Sequence, residues 1–301
     1  LKGFRRHIGR TIIMAMALVF VAAMLVILNN TIATSRRQVV DLIAREVGEQ
    51  DITVTRRDTS VEPFIDVQPV VALLRAAHPR VEAVFPRFQA EVEVSLGAST
   101  GKATLLARDP ETDDLGTIDL LEGAYDLEGN RVVLLRNTAD AFGLGVGDTI
   151  QLSYVMPVPR EEGETLAENI SVNRVTRAFT ITGIALQHGL GGGLQNGVLA
   201  HVETVQDWLG LPGQAERLGV ALDQDVYSAV DVQTSVFRVR RIAERLQAAL
   251  PEGAEVYAWD ITKAETLDGA DLAFSMMQTL TMVYGFLSMG VVGLLVYSLI
   301  N

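Results

Sequence analysis

Cysteine is absent from the 301 residues, so neither a disulfide nor thiolate chemistry is available and the fold must rest on its apolar core. Histidine is scarce: outside the basic start there are only His78, His188 and His201, and none stands four residues from another. With no cysteine to assist them, this leaves zinc without a ligand spacing. No Walker sequence occurs. Gly143–Asp148 (GLGVGD) runs into strand-forming residues where a nucleotide fold needs a helix, and no lysine follows Gly189–Gly193 (GLGGG). A tight turn and a flexible tip are the expectations at those two places. The GxSxG elbow of a serine hydrolase is missing as well. Asp109, Glu111, Asp113 and Asp114 make an acidic turn that lacks EF-hand spacing. Positive charge is in deficit, with 25 Lys and Arg against 37 Asp and Glu and a net charge of −12, which argues against a nucleic-acid partner. No catalytic, cofactor-binding or metal-binding residue is nominated, and the chain is not expected to be an enzyme.

Charge of either sign is missing from two long runs at the chain ends. Thr11–Leu28 reads TIIMAMALVFVAAMLVIL and Met276–Ile300 reads MMQTLTMVYGFLSMGVVGLLVYSLI. Each has the length of a bilayer-crossing helix, for which about 20 apolar residues are needed. Lys2, Arg5, Arg6 and Arg10 precede the first run, leaving a net −16 on the remainder. A basic flank places that end in the cytoplasm, so the middle of the chain lies outside it. Arg36 and Arg37, past the other end of the run, weaken this contrast without reversing it. The apolar run is longer than a signal-peptide core and a second run follows, so an uncleaved span is expected. The chain starts at Leu1 and stops at Asn301 directly after the second span, and is expected to be a piece of a longer one. Gly285, Gly290 and Gly293 suit close helix contact in the second span.

Between the spans the period of the apolar residues changes. Val40, Ile43 and Val47 recur at helical spacing and prolong the first span. Ile52–Thr55 reads as a strand. Asp66 is placed to cap a helix carrying Val70, Leu73, Leu74 and Ala77, which Pro79 stops. Two strands follow, Val81–Phe85 and the alternating Phe88–Leu96. From about Ala103 to Val202 strands dominate: Ala103–Ala107, Arg131–Leu135, Thr149–Val155, Ala178–Leu186 and Gly197–Val202, with a short helix Asn137–Phe142. Met156–Arg174 reads as a mobile hairpin tip. Leu218–Leu222, a helix capped by Thr234 or Ser235, and the strand Glu255–Ala258 repeat the opening pattern. Thr262 and Glu265 form a capping box whose helix runs into the second span.

The expected organisation is a cytoplasmic start (1–10), a span (11–29), a stalk helix (30–50), and a discontinuous α/β subdomain (51–102 and 215–260). An inserted β-rich subdomain (103–214), a second stalk helix (261–275) and a second span (276–300) complete it. The fold class is α+β, with two transmembrane helices flanking an extracytoplasmic domain. Helices that leave the membrane into that domain are either carriers of motion or simple connections.

Several stretches together resemble the FtsX-like/MacB-type permeases of ABC transporters. They are the start LKGFRRHIGRTIIMAMAL, Val47–Val54 (VGEQDITV), His78–Pro86 (HPRVEAVFP), and the ending LLVYSLIN. The most specific lies in Leu121–Ile184, with LEGAYDLEGNRVVLLRNTADAFGLGVGDTIQLSY followed by FTITGI. The resemblance implies a porter-like α/β subdomain and a permease subunit of a multi-pass bacterial inner-membrane transporter. It also implies a cytoplasmic ABC ATPase, a homo- or heterodimer of permeases, and an extracytoplasmic adaptor or lipoprotein partner. ATP-driven closure inside would move the outer domain, a process called mechanotransmission, in export or lipoprotein handling. The long Met156–Arg174 insertion and the glycine-rich Gly189–Gly197 depart from the family pattern and are the expected partner-contact loops. The alternative is a two-span sensor with an extracytoplasmic ligand-binding domain; a tethered enzyme has no constellation to support it.

Overall fold

Strand β3 (Val81–Leu96), sixteen residues long, carries both halves of the sheet system. The sequence reads as two strands here because the alternation slips, with Val84 and Phe85 both buried and Arg87 and Phe88 both buried. The chain nevertheless stays extended through Pro86. The computed structural model describes residues 12, 16, 19–38, 51–57, 62–97, 99–112, 118–157, 173–187, 196–227, 232–251 and 253–300. They divide into two compact units: one drawn from Leu1–Leu42, Ala229–Gln233 and Thr266–Asn301, the other from Ile43–Ser228 and Thr234–Glu265.

In the second unit, the first half of β3 pairs antiparallel with β11 (Arg217–Leu222). Strand β11 pairs with β1 (Ile52–Arg56), and β1 with β12 (Tyr257–Asp260), all antiparallel. The helices α2 (Val67–Ala77) and α5 (Val232–Ala249) connect these strands in sequence. The order β12-β1-β11-β3, with a helix between β1 and β3 and another between β11 and β12, is the β-α-β-β-α-β ferredoxin-like arrangement. Each helix is kept by an apolar face: Val67, Val70 and Leu74 on α2, and Val236, Val239, Ile242 and Leu246 on α5.

The second half of β3 pairs with β4 (Ser99–Arg108) on one edge and β7 (Thr149–Val155) on the other. Strand β4 lies parallel to β9 (Gly197–His201), β9 antiparallel to β6 (Arg131–Leu135), and β6 parallel to β8 (Arg174–Gln187). Strand β8 returns to β7. The pairings close on themselves, so β3-β4-β9-β6-β8-β7 form a ring in which no strand leaves both edges open. Strand β5 (Ile118–Gly123) adds to β8. Leu106, Leu127, Val133, Leu135, Ala185 and Leu199 pack into one buried cluster. Helix α3 (Arg136–Phe142) follows β6, and its buried Thr138 hydroxyl accepts from the Gly197 N–H at 2.7 Å. Helix α4 (Val202–Leu209) brings in Trp208, whose ring meets Phe179 and Tyr154 edge-on, with centroids 5.3 and 6.4 Å away. A two-stranded sheet joins β2 (Ile65–Asp66) to β10 (Gln214–Ala215).

Several sequence expectations are corrected. Asp66 precedes α2 but its carboxylate makes no cap; it accepts from Gln214 Nε2 at 3.0 Å because the short β2–β10 ladder turns it that way. Val202 opens α4 rather than ending β9. Thr234 and Ser235 lie inside α5, which already runs at Val232. Glu255 and Val256 belong to a helical turn, α6 (Gly253–Val256), and β12 begins at Tyr257. Thr262 is the first residue of α7 (Thr262–Ile300). Glu265 N–H donates to the Ile261 carbonyl and Asp260 Oδ1 receives the Thr262 N–H at 2.7 Å, so the expected capping box does not form.

In the first unit, α1 (Val19–Gln38) and α7 are long and apolar enough to cross a membrane. Neither breaks at the expected span-to-stalk boundaries near 29 and 275. From Asp271 on, the less exposed residues of α7 are Asp271, Phe274, Gln278, Thr281, Gly285, Met289 and Val292. These steps of three and four make the narrow seam of a coiled-coil pair. A Cβ on Gly285 would meet Leu25 Cδ2 at 2.4 Å, Gln278 Nε2 donates to Asn29 Oδ1 at 2.9 Å, and Arg36 is ion-paired with Asp271. Numbers rise on one helix as they fall on the other, so the pair is antiparallel. Phe20, Met24, Ile27, Met276, Tyr284, Phe286 and Leu294 point outward and exposed, a surface suited to lipid.

Gly123 and Gly183 face each other between β5 and β8. Gly123 has φ +77°, and a Cβ there would stand 2.1 Å from the Thr182 carbonyl oxygen. Gly129 has φ +61° with open space around it. Gly123→Ala is therefore expected to cost about 2–5 kcal/mol from left-handed strain plus overpacking. Gly129→Ala should cost only the strain, about 1–2 kcal/mol. Urea midpoints of the two variants check the ranking; equal losses would refute the close-approach argument.

Candidate functional site

Helix α7 begins in the second unit, and its second residue is a buried cation. Lys263 is 6% exposed and Asp51, just ahead of β1, is 3% exposed. Lys263 Nζ lies 2.8 Å from Asp51 Oδ1. The same oxygen accepts from the Tyr227 hydroxyl at 2.6 Å, and Asp51 Oδ2 accepts from the Leu222 N–H at 2.6 Å. Lys263 Nζ also stands 4.7 Å from the centre of the Tyr227 ring. Burial, then the Asp51 charge and hydrogen bond, push the Tyr227 phenol up, so it remains a donor. The carboxylate is thus met on both oxygens, the condition under which a buried charge is tolerated. The cluster ties the head of α7 to the start of β1, the end of β11 and the turn at Gln224–Val226.

The sequence places Asp51 beside a strand and Lys263 beside a capping box, but it gives no sign that they meet across more than two hundred residues. The one available hint is that Lys263 stands next to Ala264 and four residues before Leu267, both buried.

The residues weighed from the sequence have other occupations. His78 Nδ1 accepts from the Arg80 N–H at 3.2 Å. His201 caps α4 by accepting from the Glu203 N–H at 3.3 Å, with Nε2 3.8 Å from Asp109 Oδ1. Asp109 accepts from the Glu111 N–H and the Thr112 hydroxyl at 3.0 and 2.7 Å, which closes the acidic turn locally. In GLGVGD, Gly143 ends α3 in the left-handed region, Gly145 N–H donates to Asp148 Oδ2 at 2.8 Å, and Gly147 N–H donates to the Ile181 carbonyl at 2.8 Å. That is a cap and a turn leading into β7. Of the two loops expected to contact partners, residues 158–172 and 188–195 lie outside the described residues, as do His188, Asp113, Asp114, the start 1–10 and the stalk stretch 39–50. Arg174, expected at the hairpin tip, opens β8 and pairs with Glu93 at 2.7 Å.

Comparison with known proteins completes the assignment. The chain is similar to the extracellular domain of the noncanonic ABC-type transporter YknZ from Gram-positive bacteria. The identity is 11%, covering 69% of this chain and 98% of that one, with a TM-score of 0.44. It is also similar to the periplasmic region of MacB from Actinobacillus actinomycetemcomitans, at 14% identity over 75% of this chain and 94% of that one, with a TM-score of 0.45. No curated protein sequence matches it. The family model of the MacB-like periplasmic core domain matches residues 11–249. With an α+β domain flanked by two helices able to span a bilayer, the chain belongs to the MacB-like periplasmic core domain family, that of the MacB/FtsX-like ABC transporter permeases.

Proposed function

We propose that this chain is the mechanotransmitting part of a permease half-transporter. A cytoplasmic ABC ATPase, on a partner or a fused domain, closes on ATP, and the spans carry that closure to the extracytoplasmic domain. The permease works as a dimer in a multi-pass bacterial inner-membrane assembly, and its outer domain meets an adaptor or lipoprotein in export or envelope handling. The chain itself performs no catalysis. Family membership favours this reading over a two-span receptor.

The observation that carries the proposal is α7. It has 39 residues, roughly 58 Å at 1.5 Å per residue, about twice what the hydrocarbon layer requires. One uninterrupted helix therefore includes both the buried Lys263 and the apolar run to Ile300. A helix held by a buried ion pair at one end transmits displacement better than a loop would. We also propose that 51–102 with 215–260 form a porter-like α/β subdomain and that 103–214 is inserted into it. The change of β3 partners, from β11 to β4 after Arg87, supports two subdomains, with the changeover inside β3 rather than at 102.

Two measurements test the coupling. Gly269 lies on α7 with open space around it, and Gly269→Pro removes an intrahelical hydrogen bond and clashes with the preceding turn, a cost of about 3 kcal/mol. Spin labels on the outer domain of the assembled transporter should change separation on ATP binding in the wild type and stay fixed in Gly269→Pro, while ATP is still hydrolysed. Equal displacement in the two would sink the proposal. Separately, Asp51→Ala removes the carboxylate paired with the buried Lys263 cation and should cost about 3–5 kcal/mol in thermal unfolding. Lys263→Met should cost less, because Tyr227 and Leu222 still serve the carboxylate. The double variant should lose less than the sum of the singles, and strict additivity would show that the pair is not coupled.

A further inference from the structure

Helix α5 buries one face and turns another, carrying Arg238, Arg241 and Arg245, outward. That basic face does not end in open solvent. With His78 and Arg80 from the end of α2, it lines a cavity of about 410 Å³, within the size range of small-molecule sites. Buried Val226 and Ile242 give the cavity an apolar floor. Phe237 stands at it 59% exposed, with the Arg241 guanidinium 5.9 Å from its ring centre.

The charge here runs against the rest of the molecule. The chain carries −12, yet four guanidiniums converge on one hollow, and among the described residues none of them has a carboxylate partner. Like charges gathered in this way repel unless an anion enters, and the planar fork of arginine suits a phosphate or carboxylate. His78 adds a neutral donor. Burial, then Arg245 and Arg80, lower its pKa below the ordinary 6.5. Its Nδ1 is engaged by the Arg80 N–H, which leaves the proton on Nε2.

We propose that this cavity binds a small amphipathic anion: a phosphate or carboxylate group held by Arg80, Arg238, Arg241 and Arg245, on an apolar or aromatic body laid against Phe237 and the Val226–Ile242 floor. A solvated basic face would hold a free anion as well as a substituted one. This cavity requires both parts of the ligand. The same chemistry is offered by a soluble cargo and by a phospholipid headgroup.

The probe is phenyl phosphate, titrated calorimetrically into the full chain in phosphatidylcholine nanodiscs, with inorganic phosphate and benzyl alcohol alongside. Phenyl phosphate should bind saturably and more tightly than either. The double variant Arg241→Gln/Arg245→Gln should weaken it roughly tenfold or more, since charge-assisted hydrogen bonds are the strong ones. Phe237→Ala should erase the advantage over inorganic phosphate. Arg240→Gln, which removes the same charge from the same helix away from the cavity lining, should leave binding unchanged. Including phosphatidylglycerol in the nanodisc separates the sources: competition assigns the site to a lipid headgroup, and its absence to a soluble ligand. No saturable binding, or equal weakening by Arg240→Gln and by the double variant, would overturn the proposal.

Discussion

Lys263 enters a water-excluded core as a cation, and the Asp51 carboxylate 2.8 Å away offsets the cost of that position. The cost of moving a charge out of water is several kcal/mol even after relaxation, so the two side chains must be brought together whenever the domain folds. That requirement fixes the start of α7 against β1, which is the second strand of the order β12-β1-β11-β3. The remaining donors to Asp51 come from Leu222 at the end of β11 and Tyr227 just after it. One carboxylate therefore gathers the ends of two neighbouring strands, the turn and the helix head.

Strand β3 imposes the second constraint. A strand has two edges, and over its second half both are occupied, by β4 and β7. Over its first half it serves β11. The six-membered ring and the ferredoxin-like sheet consequently share one continuous backbone segment through Pro86 and Arg87. No linker separates the two along β3. Where β5 joins the ring, Gly123 permits a backbone approach to the Thr182 carbonyl, and within the ring Gly197 leaves room for the Leu135 side chain.

The pairing of α1 with α7 uses a different chemistry. In lipid, apolar side chains gain nothing by leaving hydrocarbon, so contact has to come from small residues and polar pairs. Gly285 against Leu25, Gln278 against Asn29 and Asp271 against Arg36 supply both, at regular seven-residue steps along α7. The outward Phe, Met and Tyr side chains leave the remaining surface lipid-compatible.

Much of this was legible in the residues. Two uncharged runs dictate two helices, because a bilayer admits no unpaired backbone. Strict alternation at Phe88–Leu96 and the spacing Val236, Val239, Ala243 and Leu246 dictate a strand and a helix, because side-chain direction follows backbone period. The glycines of GLGVGD dictate a turn, because glycine readily takes the left-handed φ that Gly143 and Gly147 adopt. The strand Ile118–Gly123 and the helix Val202–Leu209 were not legible: the first depends on a partner strand to satisfy its mostly exposed backbone, and the second is held by Trp208 against residues distant in sequence. Nor was the Asp51–Lys263 pair or the arginine-lined cavity, since each joins side chains more than a hundred and fifty residues apart. The sequence by itself determined the elements that local period, turn chemistry and the absence of charge enforce. Only the tertiary structure decided which edges pair, where β3 changes partners and which charges meet, because those choices are made by contacts whose energy appears only after the intervening chain has folded.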